Sequence, residues 1–367
     1  MTTTSDSHRP WAIITGASEG LGKEFALQLA QRKTHNVILA ARSVNKLESV
    51  AKTVSEQVQC KVIPIDLSVA GAAEELDQKT RELDVALLIN NAGVAFGGPF
   101  EDMEYKDVQS LVAINIVALT ELFHIFLQRI KLQHKKLGEQ QKQSNHALAG
   151  IINISSMSGF MPIPSMALYA ASKAFVLSLT ESVYAEQRNE ASDLRIVVSC
   201  PGATKTEIWT KGGAHEKSVI VPMGTKEHVC ATTLAALDAR DKSVIVPGYF
   251  NNLSVASLRL APRSLVRFLS RRLMGQDPSL RDPQEVQDTF AKLGRSSHGV
   301  VGKSQIGRAS IDVDLLGADY RRGGAEEQPC DGTVRVGESF CLGVAVRLQL
   351  QALRSQAATR TPKMHFA

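Results

Sequence analysis

The sequence predicts a doubly wound α/β fold, a parallel sheet of seven strands covered by helices on both faces. Three observations predict it. Apolar runs of strand length recur through the first two thirds of the chain, and the stretches between them carry apolar residues at helical spacing. That alternation is the pattern of strand–helix–strand units in a parallel sheet. The runs are apolar throughout rather than alternating with polar residues, as strands buried on both faces are. The first run also ends in a glycine-rich turn that leads straight into a helix-patterned stretch.

The first strand is Trp11-Ala12-Ile13-Ile14, over residues 11–15. The turn Thr15-Gly16-Ala17-Ser18-Glu19-Gly20-Leu21-Gly22 follows, then the helical spacing of Lys23 to Ala30. Asn36-Val37-Ile38-Leu39-Ala40-Ala41 supplies the second strand, over 36–41, with Arg42 at its end. Further strands are expected near 61–65, 86–90, 150–155, 195–200 and 243–247. One intervening helix, around 108–131, carries Asn115. Another, around 166–188, carries Tyr169 and Lys173, with Pro162 and Pro164 ahead of it and Ser165 placed to cap its N-terminus. Its Ala170, Ala171 and Ala174 allow close packing against the core or a second subunit.

Two groups of residues in this frame carry chemistry. A strand, a glycine turn and a helix in that order are the context of a dinucleotide fingerprint. Glycines let the backbone approach a pyrophosphate, and the helix N-terminus offers it free N–H groups. The spacing is G-x-x-x-G-x-G, and a glycine turn without a nucleotide remains the alternative for the motif alone. Arg42 lies twenty residues beyond Gly22, where an acidic side chain would bind the ribose hydroxyls of NAD. A guanidinium there suits a 2′-phosphate and favours NADP(H) over NAD(H); an exposed helix-flanking arginine is the other account. The second group is Tyr169-x-x-x-Lys173, one helical turn apart on one face. A nearby cation favours the phenolate, so Lys173 is expected to bring the tyrosine pKa down from about 10 toward the working range.

Together these residues resemble the short-chain dehydrogenase/reductase family over about residues 10 to 275, and the family implies a Rossmann-type fold. The resemblance rests on the Thr15–Gly22 turn, Asp66-Leu67, Asn90-Asn91-Ala92-Gly93, Asn115, Ser156, Tyr169, Lys173, Pro201-Gly202 and Thr206, in that order. It implies that Thr15, Gly16, Ser18, Gly20, Leu21 and Gly22 cradle the cofactor phosphates. Asp66 would bond the adenine amino group and Leu67 would pack beside the base. Asn91 and Gly93 would close the cofactor trench, with Asn90 holding neighbouring strands together. Lys173 would hold the nicotinamide ribose; Pro201, Gly202, Thr204 and Thr206 would bound the nicotinamide. Tyr169 would act as general acid and base, helped by Lys173, by Ser156 on the substrate oxygen and by Asn115 in a water-borne relay to the lysine. The interval of thirteen residues to Tyr169 matches the family for Ser156, which leaves Ser155 as a structural hydroxyl. Assembly into a homodimer or tetramer is also implied by the resemblance.

Composition narrows the reading further. At 367 residues with 44% hydrophobic content, the chain can bury a sizeable core. A net charge of +5 is mild, and no basic patch interleaved with aromatics points to nucleic acid. Cys60, Cys200, Cys230, Cys330 and Cys341 are odd in number and scattered, which fits a reducing, cytoplasmic compartment and no disulfide scaffold or metal site. His124, His134, His146, His215 and His228 form no metal-binding cluster. The N-terminus lacks an apolar core of leader type, and no run reaches about eighteen apolar residues without a charge, so no membrane span is expected.

Three stretches depart from a minimal member of the family. Lys131 to Ala149 is polar and basic, expected as an extended helix end and a solvated loop. Thr206 to Lys226 would cover the substrate, moving at Gly212 and Gly213, and Phe160, Met161, Met166, Ile208, Trp209 and Met223 could line an apolar pocket or simply pack. A basic amphipathic segment spans about 253–274, with Arg259, Arg263, Arg267 and Arg271 four residues apart among leucines. A solvated arginine face is its plainer account and contact with an anionic membrane surface the other. The domain is expected to span 11–275 between a short disordered N-terminus (1–10) and a largely disordered tail (295–367). The expected activity is NADP(H)-dependent interconversion of a ketone and a secondary alcohol, as an oxidoreductase acting on CH–OH groups, with tailoring of secondary metabolites as one setting. The alternatives are a steroid, lipid or fatty-acyl carbonyl reductase at a membrane surface and a non-catalytic NADP-binding module.

Overall fold

The computed structural model describes residues 9–136, 149–188, 194–206, 223–239 and 242–273. The chain divides into two units, Met1–Pro278 and Ser279–Ala367. All described residues fall in the first; residues 1–8 of the expected N-terminal arm (1–10) and the 295–367 tail lie outside them. The Arg9 and Pro10 carbonyls, by contrast, accept from Asn36 at 2.9 Å each, so these two residues are part of the fold.

Seven parallel strands form one sheet: β1 (Trp11–Thr15), β2 (Asn36–Ala41), β3 (Cys60–Pro64), β4 (Val85–Asn90), β5 (Gly150–Ile154), β6 (Arg195–Ser199) and β7 (Val244–Ile245). Their order is β3-β2-β1-β4-β5-β6-β7. The chain leaves β1 toward β2 on one side and comes back to β4 on the other. This reversal opens a crevice at the carboxyl ends of β1 and β4, the place where doubly wound folds bind ligands.

Strand side chains alternate between two cores, as the period of two requires. Ala12, Ile14, Val37, Leu39, Leu87, Ile89 and Ile152 pack with Phe25 and Leu29 of α1 (Gly20–Arg32), Leu47 of α2 (Val44–Val54), and Leu234 and Leu237 of α7 (Lys226–Ala239). Ile13, Ile38, Leu88, Ile151 and Ile196 face the opposite way. They meet Leu76 of α3 (Ala72–Thr80), Leu122 and Phe126 of α5 (Leu119–Lys136), and Leu179 of α6 (Ala167–Arg188). The strands therefore need to be apolar on both sides, and they are.

Helix α4 (Tyr105–Val112) runs into α5 through a π-helical segment, Ala113–Ala118, and Asn115 lies within it. The stretch Tyr105–Gln133 is long and apolar enough to cross a membrane by length and composition, although Glu121 and Arg129 interrupt it and no uncharged run within it reaches eighteen residues. Here Leu111, Ile114, Ala118, Leu122, Phe123, Phe126 and Ile130 are buried, most of them against the sheet. Arg129 ties α5 to α3, donating to the Asp77 carboxylate at 2.9 Å and to the Leu83 carbonyl at 2.8 Å.

Two local expectations change. Ser165 does not cap α6: it takes a left-handed conformation (φ 62°) and its carbonyl accepts from Gly98 N–H at 2.9 Å, while the helix begins at Ala167. The loop connection to Gly98 decided that backbone, outweighing the capping preference of serine. Of the polar stretch after Lys131, α5 reaches Lys136, and residues 137–148 lie outside the described residues.

Candidate active site

Four segments meet at the crevice. The glycine turn is bolted to the end of β4 by side chains. Thr15 Oγ1 accepts from the N–H groups of Asn91 and Ala92, each at 3.0 Å, and Asn91 Nδ2 donates to the Thr15 carbonyl at 2.9 Å. Gly16 has φ 65°, and a Cβ there would come 2.9 Å from the Ala92 Cα. A Cβ on Gly22 would overlap the Gly16 carbonyl oxygen. Both glycines are therefore required by the approach of backbone to backbone.

Helix α1 starts in this turn at Gly20, with neither a side-chain cap nor an acidic residue in its first turn. Its N-terminal N–H groups suit an anion. Glu19, just before it, is engaged by Lys46 of α2 at 2.6 Å. Lys46 was missed in the sequence, although it follows Arg42 by four residues. It offsets the one carboxylate in a turn suited to phosphate.

Arg42 is exposed at the end of β2, close enough to act on Asp66 beyond β3. Burial works to raise the Asp66 pKa. The Ser68 N–H and hydroxyl, bonded to Oδ1 at 3.0 and 2.8 Å, and the Arg42 charge outweigh it, so the carboxyl titrates below its ordinary value. Leu67 is buried beside it. Ser18 and Leu21 are half-buried in the turn.

Asn115 is fully buried and held at three points. Oδ1 accepts from the Val94 N–H at 2.9 Å, and Nδ2 donates to the Val94 carbonyl at 2.9 Å and to Ser172 Oγ at 3.1 Å. Ser172, another residue the sequence reading passed over, donates in turn to the Tyr169 carbonyl at 2.7 Å. Asn115 thus braces the loop after β4 against α6. A Cβ on Gly93 would stand 3.4 Å from Asn115 Oδ1 and 3.5 Å from Lys173 Nζ, so the glycine leaves room in front of the ammonium.

Ser155 and Ser156 end β5 and point to different work. Ser155 Oγ is buried and donates to the Lys173 carbonyl at 2.6 Å. Ser156 hydrogen-bonds the Tyr169 phenol and accepts from Ser158 N–H at 3.2 Å. Ser156, Tyr169, Lys173 and Asn115 are therefore gathered in one place. Asn90 donates to Asn153 at 2.9 Å and Asn153 to Thr180 at 2.9 Å, joining β4, β5 and α6.

The ionisation of the Tyr169–Lys173 pair departs from expectation. Burial pushes the Tyr169 phenol up to about 12, with only the Ser156 hydrogen bond pulling the other way. Burial likewise pushes Lys173 down to about 8. The ammonium donates to the Ile154 carbonyl at 2.9 Å and stands 5.6 Å from the tyrosine ring centre. Desolvation of both groups outweighs their mutual influence, because the lysine contacts the ring and a carbonyl, with no hydrogen bond to the phenol oxygen.

Pro201 accepts from Met157 N–H at 2.9 Å, and Gly202 lies so close to Asn251 that a Cβ would come 2.8 Å from its Nδ2. Thr204 Oγ1 donates to the Gly202 carbonyl at 2.9 Å, and Thr206 Oγ1 lies 3.5 Å from the Thr204 carbonyl. Both hydroxyls are thus engaged within their own loop here. Beside Tyr169, the side chains of Ala95, Met161, Ile163, Met166 and Ala170 form an apolar cluster. Phe160 packs instead with Leu119, Val176 and Cys200, while Ile208, Trp209 and residues 207–222 lie outside the described residues.

Residues 10–217 match the short chain dehydrogenase family model. A 7β-hydroxysteroid dehydrogenase from Clostridium sardiniense is 32% identical over 208 residues, 56% of this chain and 74% of its own length. A very-long-chain 3-oxoacyl-CoA reductase from Meyerozyma guilliermondii is 32% identical over 195 residues, and the chain spans about half (55%) of that relative. Among solved structures, a short-chain dehydrogenase from Sphingobium yanoikuyae in complex with NADPH superposes with a TM-score of 0.58 at 28% identity, covering 70% of this chain and 95% of that one.

Proposed function

The chain belongs to the short-chain dehydrogenase family and is an oxidoreductase, and from that premise we propose that it interconverts a ketone and a secondary alcohol with NADP(H). The observation that carries this reading is the convergence of Ser156, Tyr169, Lys173 and Asn115 beside the glycine turn at the β1–β4 crevice.

The residues fit the cofactor. Gly16, Gly20 and Gly22 with the uncapped start of α1 would hold the pyrophosphate. Asp66 and Leu67 would hold the adenine, and Arg42 with Lys46 nearby favours a 2′-phosphate over a free ribose hydroxyl. Asn91, Gly93 and Lys173 would line the nicotinamide end, with Pro201, Gly202, Thr204 and Thr206 opposite. When bound, the nicotinamide donates or accepts the hydride.

The protein's own part is proton handling and orientation. In ketone reduction, Ser156 would hydrogen-bond the carbonyl oxygen and stabilise the charge that develops there. Tyr169, a phenol protonated at neutral pH and kept so by burial, would give its phenolic proton to the same oxygen. Lys173 would support the phenolate left behind, and Asn115 would keep α6 and the β4 loop in register around it. In alcohol oxidation the same phenol oxygen would take the proton back.

The apolar cluster beside Tyr169 supports a carbonyl with bulky apolar neighbours, of steroid or acyl type, over a polar tailoring substrate of secondary metabolism. The described cysteines, Cys60, Cys200 and Cys230, are free thiols, which supports a reducing, cytoplasmic setting. The test is nicotinamide absorbance with a panel of steroid, acyl and aryl ketones. Turnover with NADPH by the native enzyme, and its loss in Tyr169→Phe with NADPH binding retained, is the expected result. Tight NADPH binding with no turnover on any ketone would leave a binding module instead, and full activity in the variant would overturn the assigned acid.

A further inference from the structure

The Pro201-Gly202 loop rests on a side chain that none of the sequence motifs includes. A Cβ on Gly202 would stand 2.8 Å from Asn251 Nδ2, 2.9 Å from Oδ1 and 3.0 Å from Cγ, and these are the three nearest heavy atoms beyond its chain neighbours. Nearly equal distances to all three place that point over the flat face of the carboxamide. Gly202 is not among the glycines of positive φ, so its backbone admits an L side chain. The glycine is therefore required by Asn251 and not by its own conformation.

Asn251 is anchored independently of that loop. It is the third residue of α8 (Tyr249–Leu260), and its Nδ2 donates to the Pro247 carbonyl at 2.6 Å. A carbonyl needs a donor, so this bond also fixes which end of the carboxamide is nitrogen. Asn252 donates to the Val246 and Gly248 carbonyls. Two adjacent amides thus tie the corner between β7 and α8 to the first turn of the helix. The corner is in turn held to β6, where the Cys200 N–H donates to the Ile245 carbonyl at 2.7 Å. The Pro201 carbonyl, one residue before Gly202, accepts from the N–H of Met157, the neighbour of Ser156. A single line of contacts therefore runs from Pro247 through Asn251 and the loop to the catalytic serine.

We propose that Asn251 is a positioning residue: its carboxamide, lying flat on Gly202, sets the depth of the Pro201-Gly202 loop against the nicotinamide and, through Met157, against Ser156. The inference rests on the reading above that this loop bounds the nicotinamide. Planarity is what the contact demands. A side chain of similar size with a tetrahedral Cγ has no flat face to offer and pushes the loop outward. A smaller one leaves the loop without its stop.

The experiment is a double-mutant cycle on the full chain, reading kcat with the best ketone of the panel, NADPH affinity by nicotinamide fluorescence, and melting midpoint. A misplacement of about 1 Å costs up to about a hundred-fold in rate, so Asn251→Ala and Gly202→Ala should each lower kcat by roughly ten- to a hundred-fold. When both changes are made together, the new methyl group enters the space the carboxamide left, and kcat should recover roughly ten-fold over Gly202→Ala alone. A contact that merely holds the fold together would lower the melting midpoint and leave kcat of the folded enzyme native. Native kcat and NADPH affinity in Asn251→Ala, or a double variant no better than Gly202→Ala, overturns the proposal. Should Gly202→Ala fail to fold, Asn251→Leu takes its place: it should lose kcat at least as far as Asn251→Ala, and native kcat in it overturns the proposal. If the native chain binds NADPH and turns over no ketone, the reduction reading fails by itself. The same cycle in NADPH affinity, weakened in each single variant and restored in the double, then decides the role of Asn251.

Discussion

Ser155 and Ser156 are neighbours with opposite tasks, and single substitutions should separate them. Ser155→Ala removes a buried hydrogen bond to the Lys173 carbonyl and should cost about 1 kcal/mol in urea unfolding. Ser156→Ala should leave stability near native and lower kcat for ketone reduction by about two orders of magnitude, the usual loss when a stabilising donor is removed. The reverse pattern would exchange their roles. The interval to Tyr169 singled out Ser156 in the sequence; the bond from Ser155 to Lys173 could be seen only once α6 was docked on β5. Lys173 carries a second expectation. Its folded pKa of about 8 lies below the ordinary 10.5, so between those values the unfolded chain binds the extra proton and the lysine's contribution to folding stability rises with pH. The thiols of Cys60, Cys200 and Cys230, pushed up by burial, act in the opposite sense over this range, so the contribution of Lys173 is read as a difference. Between pH 7.5 and 9.5 the stability of Lys173→Met should fall more, or rise less, than that of the native protein. An unchanged slope in the variant would mean another group titrates there. The direction of both shifts in this pair was not legible in the sequence, because the four-residue spacing reports that two groups are close and not how much water reaches them.

The π-helical segment matters most among the elements. Sequence periodicity placed a helix over 108–131 with Asn115 on it, and the structure has a longer one whose hydrogen bonds slip by one residue at Ala113–Ala118. That slip adds no mark to the apolar pattern of Ala113-Ile114-Asn115-Ile116-Val117-Ala118. It is associated with the threefold pairing of a buried amide, whose partners Val94 and Ser172 are distant in sequence. Asn115→Ala would leave the Val94 N–H and carbonyl without partners, at about 1–3 kcal/mol for each group. We expect a loss of about 2–4 kcal/mol in urea unfolding and a larger proportional loss of turnover than of NADPH affinity. Native stability in Asn115→Ala would show that the brace contributes little. Ser165 teaches the same lesson in reverse. Serine ahead of a helix reads as a cap, yet here the Gly98 contact holds it in a left-handed turn.

For the molecule as a whole, cofactor binding should be visible as stability. A ligand held only by the folded state at a hundred times its Kd adds about 2.7 kcal/mol, roughly 5–10 °C in melting midpoint for a domain of this size. NADPH should raise the midpoint more than NADH at equal concentration, and Arg42→Ala should reduce that difference; an unchanged difference would remove Arg42 from the 2′-phosphate site. The sequence by itself determined the seven strands, their burial on both faces and the order of the motifs. Apolar period and glycine placement are local, and a parallel sheet leaves few ways to arrange such units. It also determined which residue types stand ready for acid–base chemistry and for a phosphate. Tertiary structure alone decided their surroundings: that burial raises the Tyr169 phenol, that Lys46 offsets Glu19, and that Asn115 locks a loop to a helix. Each of these depends on desolvation and on partners far apart in the chain, and those come into being only when the helices pack on the sheet.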